Sequence, residues 1–193
     1  MTVHDFAGSL AYSHDQADQP WWETVYRTAF PDFLAMVDLR HFGWHQEAGR
    51  DRAVVLNSGR TIWIDEKVRS AAYQDVAVEI WSTYPKGGAE PYRPVRGAKP
   101  GWAREAKDCD WLAYAFVPTS TCYLFPFLGL RAALRNHARE WVDNATTRTK
   151  GFRWVVAPNR NYDTISIAVP IPILNQAIAD AMTIRWNATE VAA

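Results

Sequence analysis

Two aspartates and a lysine, Asp51, Asp65 and Lys67, carry the most readable chemistry in this chain. They lie in a stretch that reads as a β-hairpin. Ala53–Leu56 is a short apolar run, Asn57-Ser58-Gly59 a turn, and Thr61–Val68 a second strand. Asn and Gly supply the positive φ angles that a tight turn needs. Side chains alternate along a strand, so Asp65 and Lys67 share a face about 7 Å apart, and Ile62, Ile64 and Glu66 point the other way. Asp51, at the start of the first strand, is placed to converge on Asp65 across the pair. Two carboxylates and an ammonium at one sheet end make a small hard-metal site with a cation beside it. Such a site suits Mg²⁺-assisted hydrolysis of a phosphodiester. The same residues also read as the charged end of a solvated hairpin.

The elements around the hairpin must hold it in place. Pro20 followed by Trp21-Trp22-Glu23 predicts a helix to about Ala29, with Trp21, Trp22, Val25 and Phe30 on an apolar face. Pro31 then suits the first turn of a second short segment containing Phe33, Leu34, Met36, Val37 and Leu39. His41, His45, Gln46 and Glu47 precede Gly49. The i, i+4 spacing of the histidines would allow joint metal binding on a helix, but Gly43 weakens a helix there. A loop entering the hairpin is expected, with Gln46 or Glu47 near the site.

Asp75–Ser82 alternates and predicts a third strand, with Val76, Val78 and Ile80 on one face. Glu79, on the other, is a candidate third acid facing the cleft of Asp65 and Lys67; a salt bridge to Lys67 or Arg69 is the alternative. Arg69 is also a candidate phosphate ligand. Thr83–Gly101 reads as a long loop in which Lys86, Arg93, Arg96 and Lys99 interleave with Tyr84 and Tyr92. That mixture suits a nucleic-acid backbone with occasional base stacking, or a solvated surface loop. A short helical turn is expected from Trp102 to Lys107. Asp110–Val117 and Cys122–Phe125 predict a second hairpin that extends the sheet, followed by a helix from Pro126 to about Val142. Residues 143–151 read as polar and flexible. Phe152–Ala157 and Thr164–Val169 predict two strands about a turn, and Ile173 to about Arg185 a terminal helix.

Gly49-Arg50-Asp51, a short hairpin, and then Asp65-Glu66-Lys67 together resemble the signature of the PD-(D/E)XK nuclease superfamily, that of restriction endonucleases, Holliday-junction resolvases and related phage enzymes. Asp51 matches the first acid, Asp65 the second and Lys67 the lysine. Arg50 stands where that pattern has proline, and the motif covers about a tenth of the chain. The resemblance implies that Asp51, Asp65 and the main-chain carbonyl of Glu66 hold Mg²⁺ or Mn²⁺. It implies that Lys67 stabilises charge on the phosphate or positions the attacking water. It also implies a helix before the hairpin that often lends an acid, for which Glu23 and Asp38 are candidates.

Composition sets the bounds. At 193 residues, 48% of them hydrophobic, the chain is expected to form a single domain over 1–193, with 1–19 loosely ordered. Its 21 basic and 21 acidic residues cancel, which counts against coating nucleic acid by bulk charge. A polar N-terminus and two cysteines, Cys109 and Cys122, without zinc spacing point to a reduced, cytoplasmic setting. No apolar run approaches the ~18 residues of a membrane span.

The element order predicts an α/β or α+β fold, a mixed central sheet flanked by helices, in keeping with the restriction-endonuclease-like core that the resemblance implies. The leading expectation is a metal-dependent nuclease, a hydrolase acting on DNA in preference to RNA, with Glu79 as a secondary catalytic candidate. Arg69, Gln46, Lys86, Arg93 and Arg96 are candidates for substrate binding, and a homodimer is left open. The alternatives are a catalytically inactive nuclease-like module, such as a phage accessory factor, that binds nucleic acid or a protein, and a structural protein with a tryptophan-rich assembly surface.

Overall fold

In the computed structural model, which describes Tyr12 and residues 15–86 and 93–186, the chain is α+β. It runs α1 (Trp21–Ala29), β1 (Phe33–Asp38), α2 (Gly43–Glu47), β2 (Arg52–Leu56), β3 (Thr61–Arg69), β4 (Asp75–Pro85), β5 (Lys99–Pro100), β6 (Trp111–Phe116), β7 (Thr121–Pro126), α3 (Phe127–Thr147), β8 (Arg153–Pro158), β9 (Tyr162–Pro170), α4 (Ile171–Ala177) and β10 (Met182–Arg185). Most of the N-terminal stretch expected to be loose, and Tyr92 of the basic loop, lie outside the described residues. The chain falls into two compact units. One holds the described residues up to Tyr73, Lys107–Leu128 and those from Ala179. The other holds Gln74–Ala106 and Gly129–Ile178.

The first unit carries the hairpin. Gly59 takes φ +83°, and the Asp32 carboxylate accepts a hydrogen bond from the Ser58 N–H at 3.0 Å, which together fix the turn between β2 and β3. The sheet order is β1-β2-β3-β6-β7-β10. Only β3 and β6 run parallel; the other neighbours are antiparallel. Ile62, Ile64 and Val68 on one face of β3 pack with Ala113, Ala115, Cys122, Leu124 and Ile184 under α1. The helix buries Trp21, Trp22, Val25 and Tyr26, a stripe at i, i+1, i+4, i+5. Trp21 stacks on Trp186 with ring centroids 4.3 Å apart. Each such side chain contributes about 1.5–3 kcal/mol of burial, so α1 clamps the back of the sheet that bears the hairpin.

Three expectations are corrected here. The segment after Pro31 is the edge strand β1, because the chain leaves α1 extended at Phe30 (φ −124°, ψ 91°) and pairs Phe33 with Leu56 of β2. Gly43 does not prevent a helix: residues 43–47 form the short α2, with Gln46 on it. The terminal helix ends at Ala177. Ile178 is extended, Asp180 takes φ +61°, and Met182–Arg185 returns as a strand beside β7.

The second unit is built on the sheet β5-β4-β9-β8, antiparallel throughout. The strand expected to follow the hairpin is therefore present as β4 but belongs to this other sheet, pairing Val76 with Val169 and Val78 with Ile167. Both edges of β3 next to the hairpin are already used, by β2 and by β6. The basic loop is likewise shorter than expected, since β4 runs to Pro85 and β5 covers Lys99–Pro100. The long helix α3 continues to Thr147, into the segment expected to be flexible, and stops where Arg148, Lys150 and Gly151 all take positive φ. Among the described residues, no helix is long and apolar enough to cross a membrane.

Candidate active site

The site forms where the two strands of the hairpin part. β2 pairs with β3 only as far as Arg52 opposite Ile64, whereas β3 runs on to Arg69. Along that extension one edge of β3 is paired with β6, from Ile64 opposite Trp111 to Arg69 opposite Phe116. Asp51 serves the other edge. Its amide donates to the Ile64 carbonyl at 2.9 Å and its carbonyl accepts from the Leu39 amide at 2.9 Å. Its Oδ2 accepts from the Glu66 amide at 2.8 Å. The Asp51 main chain is thus tied to both β3 and the end of β1, and its carboxylate alone caps the next β3 amide where a strand partner is missing.

Trp63, Asp65, Lys67 and Arg69 share the outward row of β3, as strand alternation requires. Asp65 is only 2% exposed. The Lys67 Nζ pairs with its Oδ1 and keeps part of its own side chain in solvent. Burial pushes the Asp65 carboxyl up to about 7. The Lys67 ammonium works against that rise, and the Asp51 carboxylate lying against it adds to it. Asp51, Asp65 and Lys67 are therefore brought together at one end of the hairpin.

Glu66 points through the sheet to the opposite face. Its Oε1 accepts from the Tyr26 hydroxyl at 2.6 Å and from Arg52 Nε at 2.9 Å, and Arg40 approaches its Oε2 at 3.5 Å. Asp38 completes the group through Arg40 and Arg52. Burial acts to lower the Arg52 pKa, and the adjacent Glu66 overrides it and raises it. The Glu66 carboxylate is consumed in this network, which leaves only its main-chain carbonyl for the outward face. Asp38 is committed to the same network, and Glu23 pairs with Arg27 along α1.

The remaining candidates divide between this unit and the other. Arg69 donates from Nε to the Tyr114 hydroxyl at 2.6 Å, with its guanidinium 4.9 Å above that ring. Gln46 is exposed on α2. Glu79 stands on β4 in the other unit, where its carboxylate accepts from the Trp102 amide at 3.3 Å. Its backbone lies so close to Gly101 that a Cβ there would meet the Glu79 carbonyl oxygen at 2.6 Å. Lys86, Arg93 and Arg96 also belong to that unit and are exposed.

Sequence reasoning named several neighbours of the cluster without placing them there. Cys109 is buried just before β6. Burial pushes its thiol up to about 12, the Asp65 carboxylate adds to that, and Lys67 opposes it. Gly49 takes φ +74°, and a Cβ on it would lie 2.5 Å from the Lys107 Cδ and 3.2 Å from its Cβ, so the lysine stem rests on the glycine. Arg50 lies 4.5 Å above the Trp63 ring and bonds the Asp108 carbonyl at 2.8 Å. His45, buried, is stacked on Trp44 with centroids 3.5 Å apart and leans on Trp63 at 5.6 Å. Its Nδ1 has no hydrogen-bond partner among the described residues. Gly49 and His45 carried a signal in the sequence, the glycine as a special backbone position two residues before a candidate acid and the histidine by its spacing from His41, but neither told of these contacts.

Among the described residues, no three His, Cys, Asp or Glu side chains gather as a ready-made metal cage. Asp51 and Asp65 are two hard carboxylates near enough for the Asp51 charge to add to the rise at Asp65, although burial is its main cause. Two carboxylates with main-chain and solvent oxygens are the donor types that Mg²⁺ or Mn²⁺ would take. Compared with known proteins, the chain matches no family model, no curated protein and no solved structure.

Proposed function

We propose that this protein is a metal-dependent nuclease that hydrolyses phosphodiester bonds in DNA, with RNA as the second choice. The observation that carries the reading is the meeting of Asp51 and Asp65 beside Lys67 at the end of the hairpin. Asp51 and Asp65 would hold the cation, together with the Glu66 main-chain carbonyl. When bound, a divalent cation supplies Lewis-acid stabilisation of the charge that builds on phosphate during hydrolysis. Lys67 turns its ammonium from Asp65 toward the phosphate or the attacking water. The Tyr26–Glu66–Arg52 network holds the strand that carries both groups from behind. Arg69 remains a candidate contact to the substrate backbone, whereas the Glu79 carboxylate accepts from the Trp102 amide within its own unit. The free, buried state of Cys109 and Cys122 supports a reduced cytoplasmic setting.

The likeness to the PD-(D/E)XK superfamily supports this reading through Asp51, Asp65 and Lys67 alone. The deciding experiment is cleavage of labelled single- and double-stranded DNA and RNA with Mg²⁺, Mn²⁺ or EDTA. Metal-dependent cutting by the wild type, lost in Asp65→Ala and Lys67→Ala, is the expected result. A folded Asp65→Ala variant that cuts as well as wild type refutes it.

One observation favours a second reading, an inactive nuclease-like module. Asp65 is buried and already paired with Lys67, so a cation would have to displace that ammonium and enter a site closed to solvent. In that case no divalent ion stabilises the fold, and thermal unfolding is the same in Mn²⁺ and in EDTA.

A further inference from the structure

The aromatic cluster beside the carboxylates has an open face. Phe42 and Trp44 are 51% and 63% exposed, far more than the other rings of this unit that pack in its core. Both rings gather on one buried residue: Trp44 stacks on His45, and Phe42 meets it edge-on at 6.1 Å. His45 in turn leans on Trp63, whose ring also carries the Arg50 guanidinium. Trp63 precedes Asp65 by two positions on the same face of β3, about 7 Å along the strand. The stack Trp44–His45–Trp63 therefore leads from an open indole face to the carboxylates. One face of the Trp44 indole is covered by His45, and the exposure falls on the rest of the ring.

From this geometry we infer that Trp44 is a stacking platform for an unpaired nucleobase, so that the substrate at this site is a single strand. The inference rests on the nuclease reading above for its placement of phosphate at Asp51, Asp65 and Lys67. One consideration favours a base over an apolar protein segment. The aromatic series ends at Trp63, whose ring carries the Arg50 guanidinium, itself paired with Asp108, and Lys67, paired with Asp65, lies further along the same face of β3, so ring and cations follow each other as base and phosphate do. With no net charge on the chain to attract a phosphate backbone, a strand bound here takes much of its affinity from stacking. A base inside a duplex has both faces occupied and gains nothing from the indole.

The test is binding rather than cleavage. The full-length chain is titrated in EDTA against a labelled oligothymidylate and against a duplex of the same length, with fluorescence anisotropy as readout. The wild type should bind the single strand more tightly than the duplex. Trp44→Ala should weaken single-strand binding about 5- to 150-fold, the loss of one stacked base, while leaving the weaker duplex binding unchanged. Trp44→Phe, which keeps a ring, should retain most of the affinity. Equal binding by Trp44→Ala and wild type overturns the inference. So does a wild type that prefers the duplex or binds neither, and the open rings then belong to a protein partner or a second copy of the chain. Because EDTA suspends cleavage, failure here leaves the nuclease reading standing, and loss of metal-dependent cutting with intact Trp44-dependent binding refutes the nuclease reading alone.

Discussion

Asp51 Oδ2 accepts a hydrogen bond from the Glu66 amide at 2.8 Å, at the point where β2 has stopped pairing with β3. The first acid of the candidate site is thus also a structural plug for an open strand edge. Asp51→Ala leaves the Glu66 amide unpaired and should cost about 1–3 kcal/mol in urea unfolding. Asp51→Asn keeps an acceptor oxygen and should recover most of that stability without recovering metal-dependent cleavage. If both variants lose stability and activity in step, the role of Asp51 is structural and its place in the site falls.

Glu66 and Arg52 form a pair with side chains 1% and 4% exposed. Removing one partner leaves the other charge buried and uncompensated, which typically costs about 3–5 kcal/mol. Glu66→Ala should therefore destabilise the chain far more than Tyr26→Phe, which removes one hydrogen bond worth about 1–3 kcal/mol. Denaturation midpoints of the two variants give the comparison. A Glu66→Ala chain as stable as wild type would mean that the network contributes nothing net to folding.

The Asp65 carboxyl supplies a pH signature. Its pKa is raised from an ordinary 3.8 to about 7, burial being the main cause. Between those values the folded chain retains a proton that the unfolded chain has released. Folding stability from this group therefore falls as pH rises from about 4 to about 7 and is level above that. Asp65→Asn cannot titrate and should lose the slope. Urea unfolding in EDTA across this range should show wild type losing ground to Asp65→Asn with rising pH. Parallel profiles would place Asp65 in a far more solvated state than the structure gives it.

What the sequence made legible was local. Alternation along Thr61–Arg69 put Asp65 and Lys67 on one face and Glu66 on the other, and Asn57–Gly59 announced the turn. Partners across space were not legible. Asp75–Pro85 alternates as clearly as any strand, but alternation reports burial on one face and is silent on which sheet receives it. Leu174, Ala177, Ile178, Ala181 and Met182 fit one helical face, yet a turn at Asp180 with positive φ splits them between α4 and β10. The Trp44–His45–Trp63 stack joins residues from a short helix and a strand, and spacing within either element gives no hint of it.

Gly49 and Lys107 offer a test of how the site is seated. Gly49→Ala places an L-residue at φ +74°, a left-handed conformation that costs about 1–2 kcal/mol by itself. Its new methyl also meets the Lys107 stem, at 2.5 Å from Cδ and 3.1 Å from Cγ. Lys107→Ala removes those two atoms and leaves a Cβ contact at 3.2 Å. A double-mutant cycle separates the two contributions. Gly49→Ala should cost less in the Lys107→Ala background than in wild type, with the conformational part, about 1–2 kcal/mol, persisting in both. If the two losses simply add, the lysine moves aside freely and the close approach has no energetic weight. If the cycle shows coupling, Lys107 is held on Gly49. In that case Gly49→Ala should also alter cleavage, because the glycine lies two residues before Asp51 and Lys107 two before the Cys109 thiol that senses Asp65.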